Sequence, residues 1–312
     1  MDAATLRFDV PEYDLSLRAR FLTDRNPALV EKVLAELPLQ TVLHHVLFSG
    51  RAIYMPTRII DSEPGNMVTR RLGDVYLYQP SAQICITYND KTPESAPVNK
   101  FAEIHTDDLP ALIRLGELVR DHTVTRAQRK VIKIGIRSSS SPVEVSSPIV
   151  QFGKDLPSDH WRHAVNRIND EVDRVWLNEP QEVLELIQAD TSPATMFFMN
   201  SYLLQDGPNI GSKLLTVSTD SDMTLPFIVR LTKSFLTEPF DHFLFLSDLG
   251  FPKMKEIGEA YMNALPTLQS LDEYRQLTAP LVILLNRMQK WMHLIYDHGG
   301  LTPGEKIRLS SR

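Results

Sequence analysis

Apolar and polar residues alternate through the first part of the chain in the way that half-buried β-strands require. The alternation is clearest in the two N-terminal segments TLRFDV and LSLRARFL. Further short strands are predicted in TVLHHVLFSG, RAIYMP, GDVYLYQP, AQICITYND, NKFAEIH and RKVIKIGIR. At least four of these strands follow one another without a crossover helix between them, so the pattern predicts a barrel rather than a parallel sheet.

Two segments within this part have the spacing of amphipathic helices. NPALVEKVLAEL repeats its apolar residues on one helical face, with Asn26 as the predicted N-cap and Pro27 in the first turn. DLPALIRLGELVRDH has the same spacing.

The remainder of the chain has helical spacing. A serine- and proline-rich stretch over residues 138–148 separates the two patterns and predicts a boundary. We therefore expect an α+β protein with a β-barrel domain over residues 1–140 and a mainly α-helical domain over residues 149–312. Within the second domain, Ser158 is predicted to cap the first helix. Pro280 is predicted to break or kink the last helix, and Gly299-Gly300 to end it.

Composition narrows the class of protein. The formal net charge of −6 lacks the basic surface that nucleic-acid binding requires, and no apolar run approaches the length of a membrane span. The single cysteine, Cys85, excludes a disulfide within the chain and fits a reducing compartment. Because the acidic N-terminal segment lacks the apolar stretch of a signal peptide, we expect a cytoplasmic protein without nucleic-acid or membrane partners.

Several common motifs are missing from the sequence. It contains no G-x-G-x-x-G, no G-x-x-x-x-G-K-S/T, no G-x-S-x-G and no H-E-x-x-H. His44 and His45 are adjacent on a predicted strand, so they point to opposite faces and cannot share one metal ion directly. We therefore predict no nucleotide cofactor and no metal site.

The stretch FSGRAIYMPTRIIDSEPGN, residues 48–66, combines cations, aromatic residues and a carboxylate beside a Pro-Gly turn. Arginine side chains bind carboxylates through paired hydrogen bonds. The combination predicts a pocket for an anionic small molecule.

The segments GRAIYMP, SEPGNMVTR, GDVYLYQPSAQICITYND and NKFAEI, taken in this order, resemble the small cyclophilin-like barrel family. In that family an E-N-type turn, a G-D-x-x-Y strand, an I-x-Y strand and an F-A-x-I strand recur in the same order. The resemblance covers about residues 14–137. The F-H-R stretch of prolyl isomerases is absent, so isomerase activity is not implied. With its long helical second half, the chain resembles more narrowly the cucumopine and mikimopine synthases.

The resemblance to these opine synthases implies a reaction. Such enzymes join L-histidine to 2-oxoglutarate through an imine, which the imidazole carbon then attacks in a Pictet–Spengler-type ring closure. No hydride is needed, which agrees with the missing dinucleotide motif. We therefore expect a cofactor-independent synthase with these two small-molecule substrates.

The two substrates carry three carboxylates, so the site needs cations, which we expect around a hollow in the barrel. The predicted substrate-binding residues are Arg51, Arg58, Asn66, Arg70, Tyr88 and Glu103. The predicted catalytic residues are Glu63, Lys100, Tyr54 and His45. Glu63 and Asn66 match the family's E-N turn, and Glu63 is the first choice for the acid–base group. For any single arginine, an ordinary position on the solvated barrel surface is the favoured alternative, and for the tyrosines a core position is the default.

Two alternatives remain open. The leading one is a non-catalytic small-molecule-binding or interaction protein that kept the barrel and lost the chemistry. A reductive opine synthase is disfavoured by the missing glycine-rich loop. The apolar residues of MFFMNSY and of the Trp291-Met292 segment indicate either core packing or a homodimer interface.

Overall fold

The protein forms two compact units, residues 1–148 and residues 149–312. The computed structural model describes residues 5–46, 50–61, 63, 65–90, 95–125, 130–139, 160–189, 191–238 and 240–295. The predicted domain limits at residues 140 and 149 lie outside the described residues, and they stay predictions.

The first unit is an antiparallel β-barrel. Within its described residues the strands are β1 (Thr5–Val10), β2 (Leu15–Phe21), β3 (Leu39–His45), β4 (Ala52–Pro56), β5 (Met67–Val68), β6 (Asp74–Tyr78), β7 (Gln83–Thr87), β8 (Val98–Ile104) and β9 (Ile132–Ser138). They are ordered β2-β1-β9-β3-β4-β7-β6-β8, and β2 also pairs with β8, which closes eight strands into a ring. The short β5 pairs with β8 beyond the end of β2.

Strand alternation fixes which side chains fill the barrel. In β2, the apolar residues are buried and the intervening ones exposed, as the sequence pattern predicts. Directly paired residues share a face of the sheet, so Phe21, Ala102, Val75, Ile86 and Ile53 form one inward-facing row across five strands. All five are buried. The barrel interior is therefore filled mainly by apolar side chains.

Two helices pack on the barrel strands. The helix α1 (Pro27–Glu36) buries Leu29, Val30 and Val33, and α2 (Leu109–Arg120) contacts β2, β3 and β4. The approach of α2 is close at Gly116, where an added Cβ would lie 2.3 Å from Cγ of Tyr88. Glycine at this position therefore allows the helix to lie directly on the Tyr88 ring.

The second unit is helical. Its described helices are α3 (Trp161–Arg174), α4 (Gln181–Gln188), α5 (Pro193–Leu204), α6 (Ser212–Val217), α7 (Leu225–Thr237), α8 (His242–Asp248), α9 (Lys253–Ala264) and α10 (Leu271–Ile295). A π-helical segment (Gln205–Gly211) joins α5 to α6. The helix α10 packs against α3, α5 and this segment, and its residues from 281 to 292 are all buried.

The sequence made three predictions about where these helices begin, bend or end, and the structure bears on one of them. Of the two outcomes predicted for Pro280, a break is wrong, because α10 continues from Leu271 to Ile295 with Pro280 inside it, and a kink stays a prediction. Burial of the helix on several neighbours offsets the one missing backbone hydrogen bond. The predicted cap at Ser158 and helix end at Gly299-Gly300 lie outside the described residues. Among the described residues, His160 caps α3, with its Nδ1 accepting from the Arg162 backbone N–H at 3.2 Å.

The predicted fold class is confirmed: the protein is α+β, with an eight-stranded antiparallel barrel followed by a helical unit. Within the described residues, no helix combines the length and the apolar character needed to cross a membrane.

We predict that Gly116→Ala destabilises the barrel by about 1–3 kcal/mol, because the new methyl group overlaps the buried Tyr88 ring. Cys85 is the only cysteine and is 2% exposed, so brief thiol labelling in increasing urea reports unfolding of the barrel. Gly135→Ala is the matched control, since its Cβ would meet only the Asp9 carbonyl oxygen at 4.0 Å. Equal labelling midpoints for the two variants would contradict the prediction.

Candidate active site

A row of polar and aromatic side chains crosses the outer face of the barrel. His44 pairs with Tyr54, Tyr54 with Cys85, Cys85 with Tyr76, and Tyr76 with Lys100, so these five residues share one face. The residues next to them along the strands, such as Ile53, Ile86 and Val75, belong to the inward-facing row. The five residues therefore face outward, and we call them the outer row. The first four are at most 4% exposed, and the Lys100 side chain is 13% exposed.

Burial of polar groups on the outside of a barrel is unusual. The alternation in GDVYLY places Asp74 and Tyr76 on the outer face, whereas Val75 and Leu77 face inward. The valine residues Val46, Val68 and Val98 pack against the outer row and help to shield it.

An ion pair stands at one end of the outer row. Lys100 Nζ lies 2.5 Å from Asp74 Oδ1, and the Asp74 side chain is 3% exposed. The second carboxylate oxygen, Asp74 Oδ2, accepts a hydrogen bond from the Arg71 backbone N–H at 2.8 Å. Glu103 Oε2 lies 3.6 Å from Lys100 Nζ, and its side chain is half exposed. The lysine therefore stands between a buried carboxylate and one that reaches solvent.

A phenol and a guanidinium lie beside this ion pair. Arg70 is 7% exposed, and its NH1 donates to the Tyr76 hydroxyl oxygen at 3.4 Å. Burial raises the pKa of the Tyr76 hydroxyl well above its usual value, although Arg70 opposes the shift. Tyr76 is therefore an uncharged hydrogen-bonding group at neutral pH.

The other end of the outer row is aromatic. The rings of His44 and Tyr54 are stacked, with centroids 5.0 Å apart and planes inclined by 6°. The sequence predicted Tyr54 as a site residue, and the register brings it within the same row as Lys100. The row thus has stacked aromatic rings at one end and an ion pair at the other.

His45, Tyr88 and Arg51 form a second group, separate from the outer row because His45 pairs with the inward-facing Ile53. His45 Nδ1 lies 2.5 Å from the Val46 carbonyl oxygen, which can only accept, so Nδ1 carries the proton. His45 Nε2, 2.7 Å from the Tyr88 hydroxyl, therefore accepts from it. Arg51 also hydrogen-bonds Tyr88, and its NH1 donates to Glu117 Oε1 on α2 at 2.6 Å.

This second group holds an uncharged histidine. Burial lowers the pKa of His45 to about 4, and the positive charges of Arg120 and Arg51 act in the same direction, although the hydrogen bond to Val46 opposes them. Burial likewise raises the pKa of Tyr88. The group therefore ties α2 to the barrel in neutral solution.

The remaining predicted site residues lie near α1 and on the turn before β5. Arg58 lies beside Glu36 of α1, and burial raises the pKa of Glu36 to about 7 even though the charge and backbone N–H of Arg58 oppose the shift. The Glu63 side chain is exposed, and the role of Glu63 as acid–base group stays a prediction. Asn66 is half-buried, and its Nδ2 donates to the Lys100 carbonyl oxygen at 3.2 Å.

The structure thus places Lys100 and Tyr54 in one row, with Glu103 beside Lys100, Arg70 beside Tyr76, and Asn66 bonded to the Lys100 backbone. The candidate site lies on the outer face of the barrel, whereas the sequence led us to expect a hollow inside it. Sequence reasoning also missed Asp74, Tyr76, His44 and Cys85 as members of the site. A signal was present, since the alternation in GDVYLY places polar residues on one face, but only strand register shows that Lys100 joins them.

The fold and this site define a class: an α+β protein in which an eight-stranded antiparallel barrel carries a buried polar face and precedes a helical bundle. Residues 161–295 match the family model described as cucumopine synthase C-terminal helical bundle domain. The match confirms the resemblance to the cucumopine synthases in the helical unit.

Comparison with solved structures supports the fold over nearly the whole chain. The structure of McbB in complex with tryptophan has a TM-score of 0.82 and 20% sequence identity, and the match covers 93% of this chain and 96% of that one. The solution structure of the hypothetical protein AF2241 from Archaeoglobus fulgidus has a TM-score of 0.31 and 16% identity over 43% of this chain and 94% of that one. No curated protein matches the chain.

We predict that His45 makes the barrel acid-sensitive. The folded-state pKa is depressed to about 4, so the stabilisation is fully present above the unfolded-state value of about 6.5 and is lost as pH falls toward 4. The stability difference between the wild type and His45→Gln should shrink by about 1.4 kcal/mol per pH unit across this window. Urea titrations at each pH measure this stability difference. Unfolding is detected by labelling Cys85 with a dithiodipyridine, a reagent that reacts at acid pH. A difference that does not change with pH would contradict the prediction.

Proposed function

We propose that the protein is a synthase that joins L-histidine to 2-oxoglutarate through an imine and a Pictet–Spengler-type ring closure, without NAD(P)H. The observation that carries the proposal is the buried outer row, in which Lys100 is paired with Asp74, Tyr76 is bonded by Arg70, and His44 and Tyr54 supply stacked aromatic rings. The family match of the helical unit to cucumopine synthase supports the same reaction class.

The cations of this site suit carboxylate substrates. Arg70 is buried, so its guanidinium offers a fork of donors in surroundings where a hydrogen bond to a carboxylate is strong. Lys100 supplies a second positive charge. We assign the two carboxylates of 2-oxoglutarate to these two residues, and the imidazole of L-histidine to the face of the His44 and Tyr54 rings.

The same groups can move the protons that the reaction requires. The amine of L-histidine adds to the ketone, and the Lys100 ammonium gives a proton to the carbinolamine hydroxyl, which leaves as water and yields the protonated imine. The imidazole carbon then attacks the carbon of the protonated imine, the C=N electron pair passes to the nitrogen to give a secondary amine, and a carboxylate removes the ring proton so that the imidazole becomes aromatic again. No electrons are gained or lost overall, so the sequence of steps needs no oxidant or reductant.

Two carboxylates are candidates for the base. Glu103 Oε2 lies 3.6 Å from Lys100 Nζ, which allows direct return of the proton to the lysine. Glu63 is the sequence-based choice, and its exposed side chain lacks the apolar surroundings that tune a carboxylate for acid–base work near neutral pH. Separate Glu63→Gln and Glu103→Gln variants distinguish the two, because only loss of the base should lower turnover by about a hundredfold or more.

We also propose a homo-oligomer. Trp291 and Met292 are fully buried core residues, whereas Phe197 and Phe198 of α5 are each 51% exposed. Exposed aromatic side chains on a helical surface favour association of two copies.

We predict that the purified protein forms a product from L-histidine and 2-oxoglutarate whose mass equals the sum of the substrates less one water. Mass spectrometry of reactions with and without NADPH measures it. Product without NADPH supports the proposal, and a product two hydrogens heavier, formed only with NADPH, would identify a reductive synthase. No product in either reaction would leave the non-catalytic binding protein as the better reading.

We predict that Lys100→Gln lowers kcat by about a hundredfold or more, since it removes the proton donor while leaving a hydrogen-bonding side chain. Lys130→Gln is the matched control, because Lys130 also forms an ion pair with a carboxylate, Glu12, but on the solvent-exposed barrel surface. The same kcat in both variants would exclude Lys100 from the chemistry. Cys85 labelling checks that each variant is folded.

A further inference from the structure

Three asparagine side chains surround the backbone of Lys100. Asn26 and Asn99 are 4% and 8% exposed, and Asn66 is half-buried. Asn26 Nδ2 donates to Asn99 Oδ1 at 2.6 Å and to the Lys100 carbonyl oxygen at 3.1 Å. Asn66 Nδ2 donates to the same carbonyl at 3.2 Å, and the Asn66 carbonyl accepts from the Lys100 N–H at 3.0 Å. Both polar groups of the Lys100 backbone are therefore bonded by these amides and their turn.

The strand pairing of β8 explains why the Lys100 backbone needs hydrogen bonds from these asparagines. On the same edge of β8, residues from 102 to 104 pair with β2, and Val98 and Asn99 pair with β5. Lys100 lies between these two pairings, so on this edge neither β2 nor β5 pairs with it, although Tyr76 of β6 pairs with it on the other edge. On the opposite edge of β8, the register of its pairing with β6 shifts between Val75 and Tyr76. Such an irregularity bends the strand at the same point.

Asn26 forgoes its expected local role in order to make these contacts. It stands directly before α1, as the sequence predicted, but its side chain makes no hydrogen bond to the helix backbone. An asparagine at this position normally stabilises the helix by such a bond. A residue that breaks a local rule in favour of a distant contact is a signature of functional constraint.

The same amides hold the turn that precedes β5. Asn99 Nδ2 donates to the Glu63 carbonyl oxygen at 3.3 Å. Gly65 passes so close to Asn26 that an added Cβ would lie 2.4 Å from Asn26 Oδ1. The network therefore fixes three of the sequence-predicted site residues, Glu63, Asn66 and Lys100, relative to one another.

We propose that Asn26 and Asn99 are positioning residues that set the place of the Lys100 ammonium through its backbone. The inference rests on the proposed function for its catalytic consequence, since Lys100 is the assigned proton donor. A displacement of about 1 Å in such a group lowers turnover by up to about a hundredfold. Neither asparagine is assigned a contact with substrate.

Asn26→Asp separates positioning from helix capping. Aspartate has nearly the same shape and is an equally good N-cap acceptor, but it cannot donate to Asn99 or to the Lys100 carbonyl. If Asn26 positions Lys100, Asn26→Asp should lower kcat about tenfold or more with a smaller change in KM, and should shift the pH profile of kcat. If Asn26 serves only α1, the variant should match the wild type.

Ser192→Ala is the control for simple loss of a helix cap, because Ser192 Oγ accepts from the Thr195 backbone N–H at 3.1 Å at the start of α5. This variant should lose stability without a change in the pH profile. An equal effect of Ser192→Ala and Asn26→Asp on kcat would overturn the proposal.

A second measurement does not depend on activity. Hydrogen exchange of the Lys100 amide, which donates to Asn66, and the NMR signal of Lys100 Nζ should both change in Asn26→Asp and in Gly65→Ala. If the wild type makes no product, the proposed function fails while this measurement still decides the inference. Unchanged exchange and an unchanged Nζ signal in both variants overturn it, and Gly65→Ala serves if Asn26→Asp does not fold.

Discussion

The contact between Lys100 and Asp74 is the constraint on which the barrel's outer face depends. Removing two charges from water costs several kcal/mol per ion, and their attraction offsets this only when the geometry is good and the remaining polar atoms are bonded. Both conditions are met, since Lys100 Nζ is 2.5 Å from Asp74 Oδ1 and Asp74 Oδ2 accepts from the Arg71 backbone. A barrel selected only for stability would replace this pair with apolar residues.

The way the barrel closes connects the fold to this face. Eight strands form the ring, but β2 and β5 share one edge of β8 and leave a gap at Lys100. In a uniform ladder the backbone of Lys100 would be fixed by a neighbouring strand. Here the Lys100 backbone is bonded by Asn26 and by the turn around Asn66. These contacts therefore set the position of the Lys100 Cα, from which the side chain extends.

The two histidines of β3 show how one strand serves two purposes. His44 faces outward and stacks on Tyr54, where it contributes to the candidate site. His45 faces inward, accepts from Tyr88, and is kept uncharged by burial and by neighbouring arginines. Because adjacent strand residues point to opposite sides, a single strand can support both the chemistry and the attachment of α2.

Much of the architecture was determined by the sequence itself. Apolar alternation located β1, β2 and most other strands, and helical spacing located α1, α2 and the main helices of the second unit, because these periodicities follow from local backbone geometry. The resemblance in motif order indicated the barrel family and the helical second half. The site was predicted only in part. The strand register places Lys100 and Tyr54 in one row, Arg70 lies beside Tyr76, and the roles of all three stay predictions.

Only the tertiary structure decided which of these residues meet and on which side of the sheet. Strand register, which depends on pairs far apart in the chain, joined Asp74 and Tyr76 to Lys100. Burial by distant segments distinguished the enclosed Arg70 from the exposed Glu63, two residues that look equally polar in the sequence. A long-range contact drew Asn26 away from its helix. Local patterns fix the elements, whereas partners and solvent exposure arise from contacts that no short stretch of sequence contains.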